Sequence, residues 1–351
     1  MSRAKSIFQI TALLSCALAA ILFTATQTSP QPESFTRLTN SPILSPQGTT
    51  WESAGSFNPA VIVGPHGHKI VMLYRAQDAS GTSRIGYAES TDGLHFTRRA
   101  EPVLSPEAPY EKDGGVEDPR LQKFGDTYYL TYTAYNKIDA QLCLATSRDL
   151  IHWTRLGVIV PANRGNWNVK WTKSGAIVPE KIAGKFWMYW LGTAADGTDQ
   201  MGLSSSTDLL HWTEETQSPV LPRRPGQFDS RVVEPGPAPI LTRDTILLIY
   251  NAADDHLVYR TAIAQFDRRD PRKLISRSSQ PLFAPELPWE KSGQVPNVVF
   301  IEGLLPASVA SFEQKRTVTE HGDSAHEFLL YYGAADKYVG IARATFLYVL
   351  H

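Results

Sequence analysis

An aromatic strand motif returns five times along this chain, and that repetition limits the possible folds more than any other feature. It reads Leu73-Tyr74-Arg75-Ala76, Thr131-Tyr132-Thr133-Ala134, Met188-Tyr189-Trp190-Leu191, Ile249-Tyr250-Asn251-Ala252 and Tyr331-Tyr332-Gly333-Ala334, with tyrosines about 58, 57, 61 and 82 residues apart. A second motif, Ser-x-Asp-x-x-x-aromatic, follows the first three strands at Ser90 to Phe96, Ser147 to Trp153 and Ser206 to Trp212. A third precedes each tyrosine strand: Phe57 to Val61, Val116 to Arg120, Lys173 to Glu180, Val233 to Ile240 and Val295 to Phe300. The runs between turns are short, β-branched and aromatic, without a 3.6-residue apolar stripe. Strand-built units of roughly 40 to 60 residues are propeller blades. The expected fold is therefore all-β, a five-bladed β-propeller.

Composition narrows the rest. The 351 residues carry 34 Lys+Arg against 35 Asp+Glu, so a polybasic nucleic-acid or membrane binder is excluded. Two cysteines are too few for a disulfide scaffold. Length alone allows one domain or two; the repeat makes residues 39–351 one propeller domain. Arg3 and Lys5 precede an apolar stretch from Ile7 to Phe23, which reads as a signal peptide or signal anchor over residues 1–28, with a linker at 29–38. The expected location is exported, periplasmic or extracellular, with membrane contact only through an uncleaved N-terminus. Cys143, in an apolar run, reads as a buried inert thiol. The polar stretch from Glu302 to Glu327 reads as a surface loop interrupting the fifth blade.

In a propeller the first strand of each blade lines the axis, so the polar residues of the third motif converge there. Asn58, Arg75, Asp118, Arg120, Lys173, Glu180, Glu234, Asn297 and Asp336 are the candidates. Grouped charges are costly unless they pair or bind something. Asp118 and Arg120 are two apart on a strand and share a face. Two or more carboxylates across a pocket meet the requirement for glycoside hydrolysis, one protonating the leaving oxygen and another activating water or attacking. Tyr110, Trp167, Trp171, Trp190 and Tyr338 can stack on sugar rings or pack the core. Asp92, Asp149 and Asp208 of the second motif, with His95, His152 and His211, read as turn-capping residues. No motif suggests a metal site or a phosphate-binding loop, and no cofactor is expected.

In combination and order, Phe57-Asn58-Pro59-Ala60, Gly115-Val116-Glu117-Asp118-Pro119-Arg120, Lys173 to Ile182, Pro235-Gly236-Pro237-Ala238-Pro239-Ile240, Val295-Pro296-Asn297-Val298-Val299-Phe300 and Tyr331 to Asp336 resemble glycoside hydrolase family 130, the β-mannoside phosphorylases and β-mannosidases. The resemblance runs from about Ser41 to Ala342 and implies a five-bladed fold. It implies that Asp118 is the catalytic acid, its proton relayed through a hydroxyl of the mannosyl unit. It further implies that Asn58, Arg75, Arg120 and Asp336 contact sugar, and that Lys173 matches a lysine that helps hold phosphate in phosphorylases. In phosphorylases the strand after the Pro-Glu-Lys-Ile motif typically reads Leu-His-Arg-Pro. Here it is Met188-Tyr189-Trp190-Leu191-Gly192. Phosphorylases also tend to carry a small residue where this chain has Glu234.

The resulting expectation is an exported, inverting β-mannoside hydrolase with Asp118 as acid and Glu234, or else Glu180, as base. Arg75, Arg120, Lys173, Asn58, Trp190, Asn297 and Asp336 would hold an oligosaccharide or glycan. The alternatives are a phosphorylase that uses inorganic phosphate as co-substrate to release mannose 1-phosphate, a non-catalytic glycan-binding propeller, and a furanosidase of the related five-bladed clan.

Overall fold

The computed structural model describes residues 32–65, 67–163, 167–310 and 324–348. The segment expected as signal or anchor, residues 1–28, lies outside the described residues. Five antiparallel sheets stand around one axis, each beginning with an inner strand. These inner strands are Gly55–Val63, Gly115–Phe124, Thr172–Ile177, Val232–Pro235 (continued by Ile240–Leu241) and Val299–Pro306. The first four abut in order, and the fifth packs against the first and against the second and third strands of blade four, which closes the ring. Single parallel pairings, Ser83 with Gly115 and Asp199 with Val232, stitch blade one to two and blade three to four.

The fifth blade takes its outermost strand from the other end of the chain. Pro32–Arg37 pairs antiparallel with Tyr338–Tyr348. The expected linker at 29–38 is thus largely a strand, and it latches the N-terminal part of the chain to the C-terminal sheet. The expected surface loop from Glu302 also begins too early, because Glu302 lies within the inner strand Val299–Pro306. Residues 311–323 of that stretch lie outside the described residues.

A clamp recurs outside the axis. A tyrosine of the second strand donates to a carboxylate in the loop before the blade, and an arginine of the outermost strand meets the same carboxylate. The tyrosine bonds are Tyr74 to Glu52 at 2.8 Å, Tyr132 to Glu111 at 2.7 Å, Tyr250 to Asp229 at 3.1 Å and Tyr332 to Glu290 at 2.9 Å. Arg98, Arg155, Arg277 and Arg37 supply the cations. An aromatic residue precedes each carboxylate: Trp51, Tyr110, Phe228 and Trp289. Blade three lacks the clamp and fills its positions with other groups. Trp190 takes the tyrosine position, stacks on Trp167 at 5.6 Å and donates to Ser204, while Asn168 takes the carboxylate position.

Trp190 is therefore a fully buried wedge and not a sugar platform, which corrects the expectation. The aromatic repeat demands a large ring there, and its single N–H is spent on Ser204. Glu290→Ala would leave Arg37 and Tyr332 without their buried partner. It should lower the unfolding free energy by about 3–5 kcal/mol, read as an earlier urea midpoint. Glu286→Ala, whose side chain is 71% exposed beside the same arginine, should stay within about 0.5 kcal/mol. Burial pushes the Glu290 carboxyl up, but Arg37, two backbone N–H groups and Tyr332 pull it further down, so it stays below the ordinary range. Its contribution is accordingly present above the ordinary carboxylate pKa and lost as pH falls through the depressed one.

Candidate active site

The inner strands aim their polar residues by bulging. Register is lost between Phe57 and Pro59, between Glu117 and Arg120, between Lys173 and Ala176, and between Ile301 and Gly303. The residues squeezed out of pairing include Asn58, Asp118, Ser174 and Glu302. Asn58, Asp118 and Ser174 have φ of 49°, 50° and 62°. Asn and Asp tolerate this left-handed region better than most residues, and a bulge turns the side chain out of the sheet. Gly333, opposite the first bulge, must be glycine, since a Cβ there would stand 2.3 Å from Asn58 Oδ1.

Asp118 is buried and tightly held. Asn58 Nδ2 donates to its Oδ1 at 2.8 Å and Arg75 Nη1 at 3.1 Å, while Arg75 Nη2 donates to Glu117 Oε1 at 2.6 Å. Ser83 completes the Glu117 contacts at 3.0 Å. Arg120 lies behind Asp118 and braces two blades. Its Nη1 donates to the Asp118 carbonyl at 3.2 Å, its Nε to the Gly236 carbonyl at 2.9 Å and its Nη2 to the Pro235 carbonyl at 2.7 Å. Lys173 Nζ stands 3.4 Å from Glu234 Oε1, which also accepts from Ser174 Oγ. Asp336, on the hairpin turn after Tyr331 to Ala335, faces the same group electrostatically.

Glu302 was missed by sequence reasoning. Its carboxyl is 0% exposed, 3.0 Å from Arg120 Nη2 but not aligned for a hydrogen bond, and neither oxygen has a hydrogen-bond partner among the described residues. The sequence motif placed Asn297 among the axial candidates. The strand register instead makes Glu302 the bulge residue of blade five. Asn297 is half-buried just before that strand, with φ of 60°, and its carbonyl accepts from the Tyr259 amide at 2.9 Å. Glu180 does not join the cluster. It lies on the surface, 63% exposed, paired with Arg268 at 3.0 Å, so the second choice of base is withdrawn. Its strand, Thr172–Ile177, has ended and carried the chain away from the axis.

The Ser-x-Asp hairpins act as expected. Asp92, Asp149 and Asp208 each accept two backbone N–H bonds and pair with an exposed histidine three residues on. Cys143 is buried, and burial pushes its thiol up to about 12. Among the described residues no group of three or more His, Cys, Asp or Glu could hold a metal ion.

Five carboxyls (Glu117, Asp118, Glu234, Glu302, Asp336) thus face three cations (Arg75, Arg120, Lys173) on the axis. Burial raises Glu117, Glu234 and Glu302, and pushes Asp336 up to about 6. Asp118 is the exception. Burial raises it too, but Arg75, Lys173, Arg120 and the Asn58 hydrogen bond outweigh that and hold it below the ordinary range. The surroundings therefore favour the ionised form at Asp118, while burial raises the carboxyls around it. Such a group can give and take protons on either side of a bond placed over the axis.

The sequence relationships agree with this geometry. Residues 31–350 match glycoside hydrolase family 130, described as β-1,4-mannooligosaccharide phosphorylase. A 1,2-β-oligomannan phosphorylase of Thermoanaerobacter sp. (strain X514) is 36% identical over 317 residues, covering 87% of this chain and 95% of the relative. A β-1,2-mannobiose phosphorylase of the same strain is 33% identical, covering 88% and 96%. One solved structure, described as showing that the mannoside phosphorylases of this family contain glycoside hydrolases targeting β-1,2-mannosidic linkages in Candida mannan, superposes with a TM-score of 0.75 at 34% identity, covering 88% of this chain and 93% of the other. The chain belongs to glycoside hydrolase family 130, and its five-bladed propeller is that of a carbohydrate-active enzyme.

Proposed function

We propose that the chain cleaves β-1,2-linked mannosides, with Asp118 delivering a proton to the departing sugar oxygen and Glu234 taking one from the attacking water. The observation that carries the choice of water is the carboxylate surplus on the axis. Arg75 is held by Glu117 and Asp118, Lys173 by Glu234, and Arg120 by three main-chain carbonyls with Glu302 alongside. A phosphate dianion needs unclaimed cations and donors and would sit against Glu234. Water needs a base, and burial keeps Glu234 basic. In this reaction the anomeric C–O bond breaks and the leaving oxygen takes the Asp118 proton. Water adds on the opposite face, with its proton passing to Glu234. The β-1,2 linkage is supported by three relatives, two of them named for β-1,2 substrates as phosphorylases and one as a hydrolase, while the family model is described for β-1,4 substrates.

Phosphorolysis is the second reading, and the named sequence relatives favour it over hydrolysis. Both Thermoanaerobacter proteins are phosphorylases. In that reading Lys173 exchanges Glu234 for phosphate and the product is mannose 1-phosphate. β-1,2-Mannobiose and longer β-1,2-oligosaccharides, incubated with and without inorganic phosphate, separate the two. Free mannose at a phosphate-independent rate supports hydrolysis. Product formed only with phosphate, and recovered as the sugar 1-phosphate, replaces it by phosphorolysis.

A further inference from the structure

An aromatic platform stands at the mouth of the axis on the side where the catalytic groups lie. Trp171 immediately precedes the inner strand that carries Lys173, and two residues of extended chain span only about 7 Å. Its indole Nε1 donates to the Ile138 carbonyl at 3.0 Å, and its ring meets Tyr135 edge-on with centroids 5.7 Å apart. Ile138 sits at the tip of the turn between the second and third strands of blade two, and that turn opens on the same face. The platform is thus built from two blades and fixed in orientation, yet Trp171 is 38% and Ile138 75% exposed. Polar side chains flank it. Asn163 Nδ2 donates to Asp139 Oδ1 at 3.1 Å, and Lys137 Nζ to the Gly81 carbonyl at 3.0 Å.

Trp190 and Trp167 are spent on packing, whereas Trp171 is an indole held in place with a face left open. A rigid aromatic face rimmed by polar groups suits a sugar ring, whose C–H face is apolar and whose edge carries hydroxyls. Exposed apolar patches beside a charged cleft mark ligand grooves. Continuity with the axial site selects the occupant. The platform is at the rim, while Asp118 and Glu234 are buried. A ring on Trp171 therefore lies beyond the pair flanking the cleaved bond.

We infer that Trp171, with Ile138 and Tyr135, forms a distal subsite for a further sugar of a linear β-mannan oligosaccharide, making the chain selective for three or more units. This rests on the mannoside-cleaving reading above. Trp171→Ala should raise KM for the tri- and tetrasaccharide about tenfold, the usual worth of one aromatic contact. It should leave kcat, and both constants for the disaccharide, unchanged, and Trp171→Phe should recover most of the loss. A uniform effect on all lengths, or none on any, overturns the subsite while leaving the cleaving activity in place. A wild-type chain that cleaves no β-mannoside of any length removes the functional reading itself, and the subsite with it. A Trp171→Ala change in oligomeric state by light scattering, with kinetics unaltered, would assign the patch to a second copy of the chain.

Discussion

Asp118→Asn should abolish turnover of unactivated β-mannosides, with a fall of at least about 10²–10⁴-fold, the usual contribution of one positioned proton donor. The fold should survive. Asn58 and Arg75 can still meet the amide oxygen, and the bulge geometry at φ 50° suits Asn as well as Asp. The more informative measurement uses an aryl mannoside whose leaving group departs without protonation. If Asp118 is the acid, the variant should recover most of its rate on that substrate. If the rate stays low, Asp118 is the base, as the resting electrostatics alone would suggest. Arg75, Lys173 and Arg120 favour the ionised form of Asp118, whereas burial raises Glu234 and Asp336.

Assigning the acid to Asp118 means that it carries a proton in the productive form, although its surroundings lower its pKa below the ordinary range. The sign of the pH dependence follows. A depressed acid loses its proton early as pH rises, and Asp336, pushed up to about 6, loses its own next. Since kcat/KM reports the free enzyme, it should be higher near about pH 5 than near about pH 8. A rise across that interval would contradict Asp118 as acid.

The architecture was legible because blades repeat, and repetition multiplies a weak signal. The tyrosine strands and the Ser-x-Asp hairpins fall where their periodicity placed them, whereas the inner-strand motifs of blades three and five overrun their strands, which end at Ile177 and begin at Val299. What failed was alignment within the repeat. Setting Tyr189 against Tyr132 left Trp190 free to be a sugar platform. Shifting by one residue puts Trp190 on the tyrosine position and exposes the aromatic-acid pairs Trp51-Glu52, Tyr110-Glu111, Phe228-Asp229 and Trp289-Glu290, with Trp167-Asn168 between them. That five-fold signal was present and would have assigned Tyr110 and Trp167 to packing.

Glu302 was hidden for a different reason. Its chain neighbours Ile301 and Gly303 resemble none of the other bulges, and only the pairing of Ile301 with Tyr332 and Gly303 with Tyr331 reveals the extra residue. Glu180 failed oppositely. A carboxylate inside a recognisable motif looked functional, but the strand ends at Ile177 and its side chain turns to Arg268. The latch at Pro32–Arg37 was invisible because its partner lies some 300 residues away in sequence, and local composition there is that of a linker.

Glu234→Gln decides the acceptor. The substitution keeps the shape and an oxygen for Ser174, and removes the charge opposite Lys173. If water is the acceptor, the variant loses its base, and turnover should fall by about 10²–10⁴-fold on natural and aryl mannosides alike, because leaving-group activation does not replace deprotonation of water. Added azide, a nucleophile that needs no base, should then restore turnover of the aryl substrate and yield the α-mannosyl azide expected for inversion. If phosphate is the acceptor, the same substitution frees the Lys173 ammonium and removes the repulsion facing a dianion. KM for phosphate should then fall and phosphorolysis should persist. The two readings therefore predict opposite changes from one substitution, measured as mannose against mannose 1-phosphate released. The contrast exists because Glu234 is buried and claims the cation that phosphate would need.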